Sequence, residues 1–218
     1  MILGIYGAGG LGREIYDIAN RINNKNNTWS SIVFINDNIT IRNIKLTSLE
    51  FSLQDFVQIN EAKQVVIAVG EPILRMKLYE KLIQFNIELT TLIDPSAIIS
   101  NQAKINNGVI ISEYTSIHAD VIIEDNVLIQ PFCCIGHDIY IGKHTVVSTT
   151  ANIGGGAVIG SKVYLGMNCA IKQNINIHDG AIVGMGAVVY KNVDSEMTVI
   201  GNPARVTKGN ENKSVFAS

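Results

Sequence analysis

The chain has 218 residues, 47% of them hydrophobic, and a formal charge of -2. That length can bury a sizeable core and falls between one domain and two. Near-neutral charge leaves no electrostatic footprint for nucleic acid or an anionic membrane surface, which argues against bulk DNA or RNA binding. The chain opens "MILGIYGAGG" with no basic leader, and no apolar run approaches the roughly 20 residues needed to cross a bilayer. The expectation is a soluble cytoplasmic protein without a membrane partner. Cys133, Cys134 and Cys169 are odd in number and match no metal spacing, so they read as buried reduced thiols.

In chain order, "ILGIYG" (2–7) reads as a buried strand, "GREIYDIANRI" (12–22) as an amphipathic helix and the Asn-rich "NNKNNTW" (23–29) as an exposed loop. "SIVFIND" (31–37) gives a second strand, "LQDFVQIN" (53–60) a short helix, "QVVIAVG" (64–70) a third strand and "PILRMKLYEKLIQFN" (72–86) a further helix. This alternation is a Rossmann-like βαβαβ parallel unit.

Between the first strand and first helix, Gly7-Ala8-Gly9-Gly10-Leu11-Gly12 fits G-x-G-x-x-G. Its glycines allow a tight turn and let N–H groups at a helix N-terminus approach a phosphate, although a ligand-free turn fits the same letters. Asn36 and Asp37 follow the second strand, where a ribose or base contact is expected, and Gly70 ends the third. The alternation stops after residue 92. A dinucleotide fold needs two mononucleotide halves, so NAD would find half a site, whereas a mononucleotide or a nucleotide-linked substrate fits.

From Ile93 the chain changes character. Every sixth residue, from Ile93 and Ile99 through Val183 and Val189, is aliphatic, and two positions earlier lie mostly small or β-branched residues such as Ala97, Val121 and Ala157. A helix repeats near 3.6 and a strand near 2, so a strict six implies short strands joined by corners, each hexad forming one side of a coil. The expected division is residues 1–92 as an α/β unit and 93–218 as the coiled domain with its tail.

These hexads resemble the left-handed parallel β-helix of the hexapeptide-repeat acyltransferases, in which three hexads close one coil. The combination of "GAGGLGREIYDIA", hexads, a "GHD" triplet and "GNPARV" resembles the family of sialic-acid O-acetyltransferases and nucleotide-4-amino-sugar N-acetyltransferases. The resemblance implies a homotrimer that uses acetyl-CoA and no metal, and an acceptor that is a 4-amino-4,6-dideoxy sugar linked to UDP, dTDP or GDP, with dTDP or UDP expected ahead of GDP.

With three hexads per coil, residues about 18 apart stack, which puts His137 against Gly155. An imidazole can accept a proton near neutral pH, and a glycine lets a thioester carbonyl approach a backbone N–H. The family resemblance implies His137 as general base, Asp138 as the carboxylate that holds its tautomer and Gly155 as a contact for the acetyl end of acetyl-CoA. Met167 and Met185 stack in line with Thr149 and are candidates for the pantetheine groove, or surface filler. Gly7, Gly9, Gly10, Asn36, Asp37 and Gly70 are the candidate acceptor-binding residues. Relatives carry a second histidine nine residues after the base; Val146 stands there, and His144 is two residues too early. His118, His144 and His178 read as exposed turn residues.

Other readings share these features. Sialic-acid O-acetylation uses the same coils, a γ-type carbonic anhydrase would need three converging histidines on a metal, and a nucleotide-sensing oligomer would use the glycine loop without catalysis.

Overall fold

The computed structural model describes residues 1–37, 49–210 and 214–216. Strands β1 (Ile2–Tyr6), β2 (Ser31–Ile35), β3 (Glu50–Phe51), β4 (Lys63–Ile67) and β5 (Glu88–Leu89) form one parallel sheet in the order β3-β2-β1-β4-β5. Helices α1 (Gly10–Asn26), α2 (Leu53–Gln58) and α3 (Pro72–Gln84) make the crossovers. β3 and β5 are two-residue edge strands whose brevity hid them in the sequence.

α1 buries Gly12, Ile15, Ile18 and Ala19, the i, i+3, i+6, i+7 stripe of an amphipathic helix. It runs through Asn26, farther than the Asn-rich composition implied, and ends on Asn27 in the left-handed conformation (φ 50°). The expected exposed loop is therefore half helix, and Trp29 within it is only 5% exposed. Asn23 causes this by gripping the Trp29 backbone from both sides, Nδ2 to the carbonyl at 3.0 Å and Oδ1 from the N–H at 2.8 Å. In α2, the Ser52 hydroxyl caps the helix by accepting from the Asp55 N–H. Pro72 occupies the first turn of α3, where its missing N–H costs nothing.

From Leu92 onward the chain winds as a left-handed parallel β-helix of triangular section. The first face stacks Leu92–Ile93, Ile110–Ile111, Leu128–Ile129, Val146–Val147, Tyr164–Leu165 and Ile182–Val183. The second runs from Ile98–Ile99 to Val188–Val189, and the third from Lys104–Ile105 to Asn176–Ile177. In each pair the second residue points inward, and with the small residue two positions earlier it fills the prism; Ile117, Val121, Ile123, Val127 and Ile129 all belong to this core. Each fully buried aliphatic side chain stabilises the coil by roughly 1.5–3 kcal/mol. Cys133 and Cys169 take the small inner positions and are buried as expected, whereas Cys134 precedes an inward Ile and is only half-buried.

The α/β unit sits on the first face. Outward-pointing Leu92, Ile110, Leu128 and Val146 share one apolar cluster with Ile15, Ile18, Ala19 and Phe34. Arg21 of α1 locks the far end through its Nε, 2.6 Å from Oδ2 of the buried Asp94. Beyond the α/β unit, the C-terminal segment covers the same face: Phe216 packs edge-on against Tyr164, and the Val215 and Phe216 N–H groups donate to Glu71 Oε2.

Candidate functional site

His137 and Asp138 occupy the corner between strands Cys134–Ile135 and Tyr140–Ile141, which joins the second and third faces. The corner forces Asp138 to φ 58°, a left-handed position that aspartate tolerates better than most residues. One coil later stand Gly155 and Gly156, held in register by the Gly156 N–H donating to the His137 carbonyl at 2.9 Å. Both side chains at the corner are exposed, and His137 Nδ1 lies 2.6 Å from Asp138 Oδ2. A carboxylate accepts only, so Nδ1 carries the hydrogen and Nε2 is left as the proton acceptor.

The imidazole lies directly over Gly155. A Cβ built there would be 2.7 Å from both Cε1 and Nε2. Among the described residues the Gly155 N–H donates no hydrogen bond, so an unpaired backbone donor lies in the residue over which the basic nitrogen sits. Met167 and Met185 lie on a different edge, between the first and second faces, where they are exposed and stack with Thr149 as the 18-residue period requires. One chain does not bring them to His137. Exposed apolar side chains continue along that edge with Phe132 stacked on Tyr114 at 5.1 Å between ring centroids.

The glycine loop, the end of β2 and the end of β4 meet at the carboxyl edge of the sheet. Gly7 has φ 127° and no room for a Cβ, which would fall 2.6 Å from the Ala68 carbonyl oxygen. A Cβ at Gly12 would collide with the Gly7 carbonyl. Gly9 is different: nothing lies within 4 Å of where its side chain would be. Gly9 also caps α1 without a side chain, so no side-chain cap takes up the first-turn N–H groups. Leu11 reaches across to Gly70, with its Cδ2 3.8 Å from a built Cβ.

Asp37 is more heavily engaged than its sequence position suggested. Its Oδ2 accepts from the Tyr6 hydroxyl and from Lys81 Nζ, each at 2.5 Å, and its Oδ1 accepts from the Leu53 N–H at 3.0 Å. Burial alone would raise the Asp37 pKa, but the Lys81 and Tyr6 hydrogen bonds outweigh it and lower it. Burial first, then the bond to Asp37, pushes the Tyr6 phenol up to about 12. Neighbouring Asn36 donates from Nδ2 to Glu50 Oε1 at 2.5 Å. Tyr6 and Lys81 carried no sequence signal, because their meeting with Asp37 depends on how α3 crosses the sheet.

His144 does not sit in an exposed turn. It is 8% exposed at the edge between the third and first faces, with the Tyr79 ring 5.1 Å away and its Nδ1 3.0 Å from Asn126 Nδ2. The hexad pattern predicts a corner correctly but cannot see that α3 covers this one. Burial, followed by the Arg75 and Lys143 charges, lowers its pKa to about 4, so it is neutral at pH 7. Among the described residues no group of three or more His, Cys, Asp or Glu side chains is arranged to hold a metal ion, and no helix is long and apolar enough to cross a membrane.

A prism of hexads with a carboxylate-oriented imidazole over bare backbone, joined to a glycine-loop α/β unit, defines an acyltransferase of the hexapeptide-repeat class. A family model for the PglD N-terminal domain matches residues 3–82. The chain is 30% identical over 173 residues to a GDP-perosamine N-acetyltransferase of Escherichia coli O157:H7, covering 72% of this chain and 77% of that one. WeeI from Acinetobacter baumannii AYE superposes with a TM-score of 0.87 at 29% identity, over 95% of this chain and 100% of that one. A perosamine N-acetyltransferase mutant from Caulobacter crescentus, in complex with CoA and GDP-perosamine, shares the fold with a TM-score of 0.86 at 22% identity, over 95% and 97% of the two chains. The chain belongs to the hexapeptide-repeat nucleotide-amino-sugar N-acetyltransferase family.

Proposed function

We propose that this protein transfers the acetyl group of acetyl-CoA to the amine of a nucleotide-linked 4-amino-4,6-dideoxy sugar, in the cytoplasm, for surface-glycan synthesis. The observation that carries the chemistry is the His137 imidazole, fixed by Asp138 and lying over the open Gly155 backbone. The amine nitrogen attacks the thioester carbonyl, and the oxygen that becomes negative is placed to accept from the Gly155 N–H. His137 Nε2 takes the proton the amine loses, the C–S bond breaks, and that proton passes to the departing thiolate. No acyl-enzyme is needed. The missing Cβ at Gly155 is what lets the imidazole lie so close to the backbone; a side chain there would push the ring aside.

The acceptor's nucleotide belongs at the carboxyl edge of the α/β sheet, with its phosphates over Gly7, Gly9 and Gly10 at the start of α1. Gly70 and the end of β2 at Asn36 and Asp37 wall the crevice. Asp37 has three of its roughly four acceptor positions filled, so its share in binding is one remaining lone pair and a rigid wall. dTDP or UDP is the narrower proposal for the carrier, and the GDP-linked sugar in the name of the E. coli relative puts GDP beside them.

Placement and the family likeness together support the proposed assembly. The α/β unit covers the first face, whereas His137 is on the opposite edge of the triangle, where the second and third faces meet. A face of six extended residues spans up to about 20 Å, so an acceptor held by one chain is separated from that chain's own His137 by the body of the prism. A ring of three chains brings each crevice to a neighbour's base and sets the Thr149, Met167 and Met185 edge beside it as a wall for the pantetheine arm. The test is release of free thiol from acetyl-CoA with UDP-, dTDP- and GDP-linked 4-amino sugars as acceptors. Turnover on one of them supports the reading, and turnover only on free sialic acid overturns it.

A further inference from the structure

A guanidinium lies fully buried at the junction of the two parts of the molecule. Arg75, on the first turns of α3, is 0% exposed, and among the described residues it pairs with no acid. Its donors all go to neutral oxygens. Nη1 reaches the carbonyls of Ile67 at 2.7 Å and Val69 at 3.0 Å. Nε and Nη2 reach the Asn126 carbonyl at 3.1 and 3.0 Å, and Nη2 also reaches Asn126 Oδ1 at 2.8 Å. Asn126 answers by donating Nδ2 to the Arg75 carbonyl at 3.1 Å, with His144 Nδ1 3.0 Å from the same nitrogen.

Burying a cation among dipoles alone is costly, and an apolar side chain would fill the same volume without that cost. The places joined show what the arrangement can do. Ile67 ends β4 and Val69 leads into Gly70, so one nitrogen grips the two carbonyls that shape a wall of the acceptor crevice. Asn126 belongs to a coil corner, in the left-handed conformation at φ 56° and 0% exposed. The apolar contacts on the first face can slide, because packing of Ile and Leu has no fixed direction. A planar fork with five satisfied donors cannot.

We propose that Arg75 and Asn126 are positioning residues that fix the angle between the acceptor crevice and the β-helix, and so where the acceptor's amine is delivered. This rests on the acceptor being held in the α/β unit, as argued above. The crevice and the base are on different elements, so a small rotation at this junction moves the amine relative to the thioester while leaving each ligand's own contacts intact. A misplacement of about 1 Å costs up to roughly 100-fold in rate.

The experiment compares Arg75→Lys, Asn126→Gly and wild type on two acceptors, the nucleotide-linked amino sugar and hydroxylamine, a small amine that needs no α/β unit to hold it. Lysine offers a point charge in place of the fork. Glycine keeps the left-handed backbone and its carbonyl but removes Oδ1 and Nδ2. The expected result in both variants is a kcat on the nucleotide-linked sugar at least about tenfold lower, with the KM for acetyl-CoA and the hydroxylamine rate within about twofold of wild type, and in Asn126→Gly, which leaves the crevice wall untouched, nucleotide affinity within about twofold as well. Should Arg75→Lys melt before the assay temperature, Asn126→Gly carries the test. A folded variant with wild-type kcat on the nucleotide-linked sugar overturns the proposal. So does a variant that loses both acceptors in proportion, since that is damage to the coils. Wild-type protein that acetylates no nucleotide-linked sugar overturns the functional reading first, before any variant is made.

Discussion

The His137 ring and the Gly155 backbone are in contact across one coil of the β-helix, with Cε1 and Nε2 of the imidazole 2.7 Å from the position of a Gly155 Cβ. Because the crowded atoms belong to a side chain at an exposed corner, the ring can swing aside when that space is filled. Gly155→Ala should therefore fold with a Tm within a few degrees of wild type yet lose roughly 10²-fold or more in kcat, because base and thioester are displaced together. Kinetics and a thermal melt on one preparation check this. A variant as active as wild type would show that the glycine serves the bend alone.

Removing the proposed base is the stronger perturbation. His137→Ala should lower kcat by roughly 10²- to 10⁴-fold while leaving acetyl-CoA affinity nearly unchanged. Asp138→Asn should cost less, because an amide can still hold the Nδ1 hydrogen through its oxygen but no longer stabilises the imidazolium. Steady-state kinetics of the two variants side by side decide the order; equal losses would mean that Asp138 does more than orient the ring.

In the glycine loop the structure separates glycines that serve the fold from one facing open space. Gly12→Ala drives a Cβ into the Gly7 carbonyl and should unfold the α/β unit. Gly9 has φ -81°, which any residue adopts, and nothing within 4 Å, so Gly9→Val should fold normally. If phosphate oxygens occupy that space, this variant raises the KM for the nucleotide sugar at least about tenfold without changing acetyl-CoA binding. Calorimetric titration with UDP, dTDP, GDP and NAD measures it directly; an unchanged affinity for every nucleotide would remove Gly9 from the site.

The coils were legible because their period is local. One aliphatic residue in six, with a small one two positions earlier, is a pattern no helix or plain strand produces, and it places His137 beside Gly155 by counting alone. The glycine loop was legible for the same reason, since strand, turn and helix adjoin in sequence. The junction was not. Arg75 and Asn126 are 51 residues apart, Tyr6 and Lys81 are 75 apart, and nothing in either member announces its partner. His144 shows the limit most plainly: its corner position follows from the hexads, but its burial follows from α3, which a different part of the chain supplies.

That burial has a pH signature. His144 is held neutral in the folded protein, with a pKa near 4 against an ordinary value near 6.5, so between those values the unfolded chain binds a proton that the folded chain does not. Stability from this site is then greatest above about pH 6.5 and falls as pH drops toward 4, below which the folded form also takes the proton and the loss stops. Protonation would set a second cation beside Arg75 and oppose the Asn126 Nδ2 donor. The carboxylates Asp37 and Asp94, whose pKa values are lowered, add their own loss at lower pH in both proteins compared. His144→Gln should flatten the Tm profile between pH 6.5 and 4 relative to wild type. Parallel slopes would mean that His144 titrates normally.

Placement of the proposed crevice and the proposed base on opposite sides of one prism makes the proposed assembly testable by complementation as well as by size. Light scattering on the purified protein should give three chains, and a stable, fully active monomer would remove the shared-site arrangement. The sharper measurement mixes two crippled proteins. His137→Ala keeps an intact crevice, and Gly9→Val keeps an intact base. In a ring where each acceptor crosses to the neighbouring chain, a site formed from the crevice of the first and the base of the second is whole, although both parents are defective. A ring that holds both kinds of chain, two of one and one of the other, has about one whole site in three. Co-expressed with distinct tags and purified through both, the mixed ring should recover activity toward that level, assayed at acceptor concentrations well below the KM of Gly9→Val. If every site were built within one chain, each would carry one lesion and the mixture would stay as inactive as its parents, which is the outcome that would return the acceptor and His137 to the same subunit.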